Sequence, residues 1–177
     1  MTQYRRHYVP GGTYFFTVTL ADRSNRLLIE HIALLRRAVA ETRQEHPFAI
    51  DAMVIPPDHL HAIWTLPSDD ADFSIRWRKI KARFSRLLPR CKAVTESQRQ
   101  KGERGVWQRR FWEHVIRNPS DLRNHIDYIH FNPVKHGYCR CVSDWPYSSF
   151  HRYCASGEYP RDWGGGEAET LAGNFGE

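Results

Sequence analysis

The alternation of apolar and polar positions divides most of the chain into strands and helices. Four stretches rich in β-branched and aromatic residues predict strands, and three with apolar residues at every third or fourth position predict helices. The predicted strands cover residues 13–20, 48–55, 59–66 and 106–116, and the predicted helices cover residues 31–46, 72–89 and 118–131. The order β-α-β-β-α-β followed by a further helix is typical of an α+β, ferredoxin-like fold, an antiparallel sheet with helices over one face.

Length and the two ends of the chain predict one domain. The 177 residues, 41% of them apolar, suffice for a single core, which we place in residues 1–155. Residues 156–177 are Gly-rich and acidic, which predicts a poorly ordered tail, either inert or lying over a basic groove and restraining activity. Residues 90–105 are polar and basic, which predicts a mobile loop. Since the sequence contains neither a signal peptide nor the roughly 18–20 apolar residues of a membrane span, we expect a cytoplasmic protein.

The four cysteines predict free thiols, because their spacing forms no disulfide framework and the expected compartment is reducing. The alternative is a zinc site formed by Cys139, Cys141, His151 and Cys154, although this spacing fits no standard zinc finger.

Positive charge is concentrated in one segment of the chain. Residues 76–110 hold 13 of the 26 Lys and Arg residues and two acids, giving +11, while the rest of the chain carries −5. Such a concentration indicates a polyanion partner, with nucleic acid as the first candidate, the alternative being a solvated helix face beside a basic loop. The candidate DNA contacts are Arg76, Arg78, Lys79, Arg83, Arg86, Arg109 and Arg110. Trp107 and Trp112 are candidates for stacking on unpaired bases, whereas the helical spacing of Trp77 favours core packing.

Two histidines open the third predicted strand. Residues two apart in a strand project to the same side, so His59 and His61 point together while Leu60 points to the core. Their imidazoles are spaced so that they can converge on one cation. The alternative is a strand whose outer face is wetted by solvent.

The last predicted helix carries a second polar group. At 100° per residue, Tyr128 and Asn132 are separated by about 40°, and His125 falls near the same side. Tyr128 therefore lies at the edge of a buried seam, where a nucleophile can be held. The alternatives are an ordinary amphipathic tyrosine and, for Asn132, the cap of a short turn formed by residues 133–137.

Several longer motifs carry a family resemblance. They are "HLH" (59–61), "WQRRFWEHVIRNPSDLRNHIDYIHFNPVKHGY" (107–138), "DWPYSSF" (144–150) and "YRRHYVPGGTYFFTVTL" (4–20). Together they resemble the REP-associated tyrosine transposases, which are single-tyrosine HUH transposases, over roughly residues 5–153.

The resemblance implies a reaction and a set of site residues. His59, His61 and Asn132 would bind Mg²⁺ or Mn²⁺, with two imidazoles favouring Mn²⁺, and Tyr128 would be the nucleophile. The implied substrate is a single-stranded REP hairpin, cleaved and rejoined through a 5′-phosphotyrosine by a nucleoid-associated protein. Resemblance to the REP-associated members of these transposases, and not to the insertion-sequence members, implies a monomer and not a dimer whose subunits exchange their tyrosine helices.

Two other functions fit the same residues. A hairpin-binding module without chemistry would use the basic segment alone. A metal-dependent hydrolase would use His59 and His61 without any covalent intermediate.

Overall fold

A four-stranded antiparallel sheet forms the centre of the protein, in the order β2-β3-β1-β4. The structure is a computed structural model that describes residues 6–89 and 95–164. The strands are β1 Thr13–Thr19, β2 Ala49–Val54, β3 His59–Thr65 and β4 Trp112–Val115. The helices are α1 Leu27–Glu30, α2 Ile32–Glu45, α3 Phe73–Leu87, α4 Glu96–Gln100, α5 Pro119–Lys135 and α6 Phe150–Ala155, with a 3₁₀ turn at Val142–Asp144. The predicted α+β, ferredoxin-like class with an additional helix carrying the tyrosine is confirmed.

Alternate residues of the central strands pack on different helices. On one face, residues of β1 and β3 join α2 and α3 in a large core, where Trp64 stacks on Trp77 with ring centroids 4.1 Å apart. On the other face, Phe15 and Ile63 pack against residues of α5. Helices therefore cover both faces and not the one face predicted: α5, the additional helix, covers the face toward which His59 and His61 project.

Three predicted boundaries are wrong. The fourth strand is confined to residues 112–115, because the backbone of residues 106–111 pairs with the sheet at one isolated bridge, Leu20 to Trp107. Part of the predicted loop at 90–105 is helix α4, which begins at a capping box between Thr95 and Gln98; residues 90–94 lie outside the described range. Helix α5 continues through Pro133 to Lys135, so Asn132 is a buried helical residue and does not cap a turn.

The segment after residue 155 begins with packed structure. Tyr159 and Trp163 contact the cluster formed by Phe131, Val142 and Phe150. Residues 165–177 of the predicted tail lie outside the described residues. Within the described ranges no helix is long and apolar enough to cross a membrane.

Three of the cysteines lie in the described part of the chain, and Cys139, Cys141 and Cys154 are free thiols there. The described residues hold one group of three or more His, Cys, Asp or Glu side chains at metal-ligating distance, and it contains none of these cysteines. The zinc alternative therefore has no support in this part of the structure.

Arg76, one of the candidate DNA contacts, is buried in the core, with 1% of its surface exposed. Its guanidinium donates to the carboxylate of Asp70 (2.7 Å) and to the backbone carbonyls of Pro47 (2.6 Å) and Asp72 (2.8 Å). These bonds tie the start of α3 to the segment before β2. The structure therefore gives Arg76 a role in stability, and no surface from which it could contact DNA.

We expect the Arg76→Met substitution to lower the free energy of unfolding by about 1–3 kcal/mol, because buried carbonyls lose their donors. Urea denaturation of the purified chain measures this loss. Arg78→Met is the matched control, since Arg78 is exposed on the same helix and should change stability by less than about 0.5 kcal/mol. Equal losses in the two variants would contradict the structural role of Arg76.

Candidate functional site

The first two residues of interest lie at the beginning of β3, beneath helix α5. His59 and His61 are both buried, and their ring centroids are 5.0 Å apart. They lie on one side of the strand, as the period of two predicts. The wetted strand face, the alternative for this pair, is wrong, because both rings are buried, His61 against Tyr128 of α5 and His59 against His136 at the end of that helix.

A carboxylate fixes the orientation of His59. The Nδ1 atom of His59 lies 2.8 Å from Asp58 Oδ1, and Arg23 Nε donates to Asp58 Oδ2 at 2.7 Å. Burial alone would raise the pKa of Asp58, but the hydrogen bonds from His59 and Arg23 outweigh it and lower this pKa to about 2. Asp58 is therefore ionised at neutral pH and holds the imidazole by Nδ1. The Nε2 atom of His59 is buried and has no hydrogen-bond partner among the described residues.

His61 is held by the same ring nitrogen. Its Nδ1 atom lies 2.9 Å from the hydroxyl of Thr17 on the neighbouring strand β1. Its ring also stacks on Phe15, with centroids 5.4 Å apart. Both imidazoles thus have Nδ1 engaged by a polar group, which is how proteins orient histidines that present Nε2 to a metal ion.

Helix α5 brings Tyr128 to these histidines, with two further polar side chains beside its hydroxyl. The helix begins at Asn118, whose side chain caps it, and Pro119 occupies the first helical position. The Tyr128 ring is 2% exposed and lies 5.2 Å from the His61 ring. The Tyr128 hydroxyl lies 3.4 Å from both Asn132 Nδ2 and Lys135 Nζ.

The basic residues of α3 divide into two groups. Lys79 donates to Glu45 at 2.7 Å, while Arg83 pairs with Glu41 and Glu45 and donates to Thr42. These contacts bind α3 to α2. In the other group, Arg78 and Arg86 line an open cleft together with Arg109, and Arg110 is exposed beside them.

The cleft lies between α3 and residues 101–111 and has a volume of about 590 Å³. Four further cations line it: Arg6, Lys81, Lys101 and Arg104. Glu103 is the acid in its lining, and Arg109 donates to it at 2.9 Å. The cleft is therefore strongly positive.

Lys81 lies between two aromatic rings of this cleft. Its Nζ atom is 5.8 Å from the ring centroid of Trp107, 5.5 Å from that of Phe111, and donates to the carbonyl of Gln108 at 2.8 Å. Burial, with a smaller contribution from the positive charge of Arg6, lowers the pKa of Lys81 to about 8. The Trp107 indole N–H is buried without a hydrogen-bond partner among the described residues, so this ring faces the cleft with its carbon atoms and not with its donor.

Comparison with known proteins identifies the family. No family model matches the chain. It is 48% identical over 173 residues to the REP-associated tyrosine transposase of Escherichia coli K12, covering 98% of this chain and 97% of that protein. A Haemophilus influenzae protein assigned the same family name is 46% identical over 176 residues, covering 99% of this chain and all of that protein. The chain belongs to the REP-associated tyrosine transposases, a family of DNA-processing enzymes.

A solved structure agrees with this assignment. It shows a REP-associated tyrosine transposase bound to a REP hairpin, superimposes with a TM-score of 0.82 at 48% identity, and covers 98% of each chain. That protein's partner is a REP hairpin.

In this transposase the structure brings together four of the residues selected from the sequence, His59, His61, Tyr128 and Asn132. Lys135 was missed, although seven residues place it within about 20° of Tyr128 on a helix. Asp58 and Lys81 were also missed; their roles depend on contacts with Arg23 and Trp107, which are distant in sequence.

His125 lies one turn before Tyr128 and contacts Asp121 and His114.

Proposed function

We propose that this transposase cleaves and rejoins single-stranded hairpin DNA through a covalent 5′-phosphotyrosine at Tyr128. The observation that supports the proposal is the position of Tyr128: its hydroxyl lies 3.4 Å from Asn132 Nδ2, and its ring packs against His61, which in turn lies against His59. A phenol with a cation and two potential metal ligands beside it is suited to attack a phosphodiester.

The donor set fits a divalent metal ion. His59 Nε2 is a buried nitrogen without a partner among the described residues, and Asp58 holds its ring by the opposite nitrogen. His59, His61 and Asn132 would hold the ion through two nitrogens and a carboxamide oxygen, a set that suits Mn²⁺ better than Mg²⁺. Such an ion polarises the scissile phosphate and offsets the charge that develops on it.

The residues of the chain carry the remaining steps. The Tyr128 oxygen attacks phosphorus, forming the O–P bond as the bond from phosphorus to the 3′-oxygen breaks. The phenolic proton leaves to solvent, and the released 3′-oxygen takes up a proton to become a 3′-hydroxyl. The Lys135 ammonium, 3.4 Å from the attacking oxygen and 4.8 Å from the ring centroid, stabilises negative charge on that oxygen. Attack by a DNA 3′-hydroxyl on the phosphotyrosine reverses the step and joins the strands.

The positive cleft is the surface that we assign to the DNA backbone. Its seven cations suit phosphates, and the half-buried rings of Trp107 and Phe111 suit unpaired bases. Phe111 lines the cleft, and the next residue, Trp112, packs on Phe15 at the opposite face of the sheet (5.7 Å between centroids). A strand that passes the edge at β4 can therefore contact the cleft and approach the tyrosine.

One chain suffices for the site that we propose. Tyr128 lies against the His61 of its own sheet, so the nucleophile does not have to come from a second copy. We therefore propose a monomer that acts on chromosomal DNA in the bacterial cytoplasm.

A labelled hairpin tests this proposal. The protein is mixed with a single-stranded REP hairpin labelled at its 3′ end, with Mn²⁺ or Mg²⁺, and the products are separated on a denaturing protein gel. We expect the label to move with the protein, since the tyrosine retains the fragment that begins with the 5′-phosphate. Cleavage without label on the protein would favour the hydrolase, and tight binding without cleavage would favour the binding module.

The pKa of Lys81 gives this DNA surface a pH dependence. At pH 7 Lys81 is charged; above about pH 8 it is neutral in the free protein and must regain a proton to bind a phosphate. We expect the dissociation constant for the hairpin to rise up to about tenfold between pH 7 and pH 9.

Fluorescence anisotropy at several pH values and salt concentrations measures this effect. The Lys81→Gln variant should lose the pH dependence. The slope of the logarithm of its affinity against the logarithm of the salt concentration should be smaller by about 1. Lys79→Gln, which removes a lysine paired with Glu45 on the same helix, should retain both. An unchanged pH dependence in Lys81→Gln would contradict the assignment of the cleft.

A further inference from the structure

A second group of potential metal ligands lies where strand β4 meets the start of helix α5. It consists of His114 from β4 and of Asp121 and His125 from the first two turns of α5. Their nearest ligand atoms all lie within 4.8 Å of one another. Phe15 separates this group from Tyr128 and His61, since its ring contacts all three of His125, Tyr128 and His61.

The carboxylate of Asp121 contacts one ring nitrogen of each imidazole. Its Oδ2 atom is 2.9 Å from His114 Nε2, and its Oδ1 atom is 3.1 Å from His125 Nδ1. The two rings stack with centroids 4.7 Å apart and planes 13° apart, so both present a nitrogen toward the same carboxylate. Neighbouring ligands of a four-coordinate first-row ion lie about 3.3–3.5 Å apart when bonds are about 2.0–2.1 Å long, close to these two separations.

The surroundings keep this group in place and leave one side open. The Arg117 N–H donates to Asp121 Oδ2 at 2.9 Å, and the Trp112 ring lies parallel to His114 with centroids 6.0 Å apart. The side chain of His125 is 8% exposed, while those of Asp121 and His114 are 19% and 21% exposed. An ion can therefore reach the group from the side of His114 and retain a water ligand there.

The ligands also have suitable charge states. Burial, which is the largest effect, lowers the pKa of His125 and favours the neutral imidazole that binds metals. Burial would raise the pKa of Asp121, but hydrogen bonds from His114 and the Arg117 N–H outweigh it and lower that pKa. Asp121 is therefore ionised at neutral pH.

We propose that His114, Asp121 and His125 form a binding site for a first-row transition-metal ion such as Zn²⁺, separate from the site at His59, His61 and Asn132. Two imidazoles and one carboxylate with an open position form a common donor set for such ions. Each ring must carry its proton on the nitrogen away from Asp121, so the His125 Nδ1 bond to the Asp121 carbonyl is exchanged for the metal bond. The ion joins β4 to the first turns of the helix that carries Tyr128.

The test uses the full chain with the His59→Ala and His61→Ala substitutions, which removes the other imidazole pair. Zn²⁺ is titrated by calorimetry, and Co²⁺ by its visible absorption. We expect one ion to bind per chain. Adding His114→Gln should lower the Zn²⁺ affinity by at least about tenfold. Removing a residue that only orients a metal ligand already costs about that much, and His114 is itself a proposed ligand. His7→Gln, the same change at an exposed histidine, should leave the affinity unchanged.

Imidazole NMR signals test the site without changing its ligands. In the His59→Ala/His61→Ala chain, one equivalent of Zn²⁺ should shift the ring signals of His114 and His125. Failure to bind an ion, or binding that leaves both rings unshifted, overturns the proposal. The result is independent of the proposed DNA cleavage, which is measured with the unsubstituted chain and a hairpin.

Discussion

The Tyr128→Phe substitution is expected to abolish the covalent protein–DNA adduct, with a loss of cleavage of at least about a thousandfold, because it removes the attacking oxygen. Phenylalanine keeps the ring that packs against His61 and Phe15, so the fold and the metal ligands should be retained. The hairpin should bind with an affinity within about twofold of the original, since the proposed cleft lies on the other side of the sheet.

A gel assay for the adduct, together with anisotropy for hairpin affinity, measures both expectations. Tyr138→Phe is the matched control: it removes the hydroxyl of an exposed tyrosine ten residues away on the same segment. Tyr138→Phe should form the adduct at the original rate. An adduct that persists in Tyr128→Phe would exclude Tyr128 as the nucleophile.

The His59→Ala substitution is expected to remove most of the cleavage activity, by about 10²–10⁴-fold, and to weaken Mn²⁺ binding at this site. His59 supplies a buried nitrogen, and no neighbouring group of the described chain bonds to it. The loss should therefore be visible in binding as well as in catalysis.

Mn²⁺ binding can be followed without DNA. A ligand that binds the folded state raises the unfolding temperature, so Mn²⁺ should stabilise the unsubstituted chain more than the His59→Ala chain. His7→Ala changes an exposed histidine and should behave like the unsubstituted chain in both assays. Normal cleavage by His59→Ala would show that the reaction does not depend on this imidazole.

The candidate site was predictable because its spacings are local. A period of two places His59 beside His61, and four residues of helix place Asn132 beside Tyr128; both relations follow from backbone geometry alone. Helical geometry also predicts that Lys135, two turns after Tyr128, lies on the same side of the helix. The capping box formed by Thr95 and Gln98 can likewise be recognised in the sequence.

The DNA surface was less predictable because it depends on tertiary packing. A count of positive charges cannot show that Arg76 is buried against Asp70, or that Lys79 and Arg83 meet acids of α2. Those pairings arise only when α3 packs on α2. The cleft at Lys81 similarly requires residues 106–111 to leave the sheet, where the sequence pattern predicted a continuous strand.

The most direct test of the central claim is mass spectrometry of the protein–DNA adduct after digestion with nuclease and trypsin. Cleavage after Arg123 and Lys135 releases residues 124–135, a peptide whose one tyrosine is Tyr128. The proposed mechanism predicts that this peptide carries a nucleotide joined through its 5′-phosphate to Tyr128. A nucleotide on another residue, or products with free 5′-phosphates and no modified peptide, would contradict it.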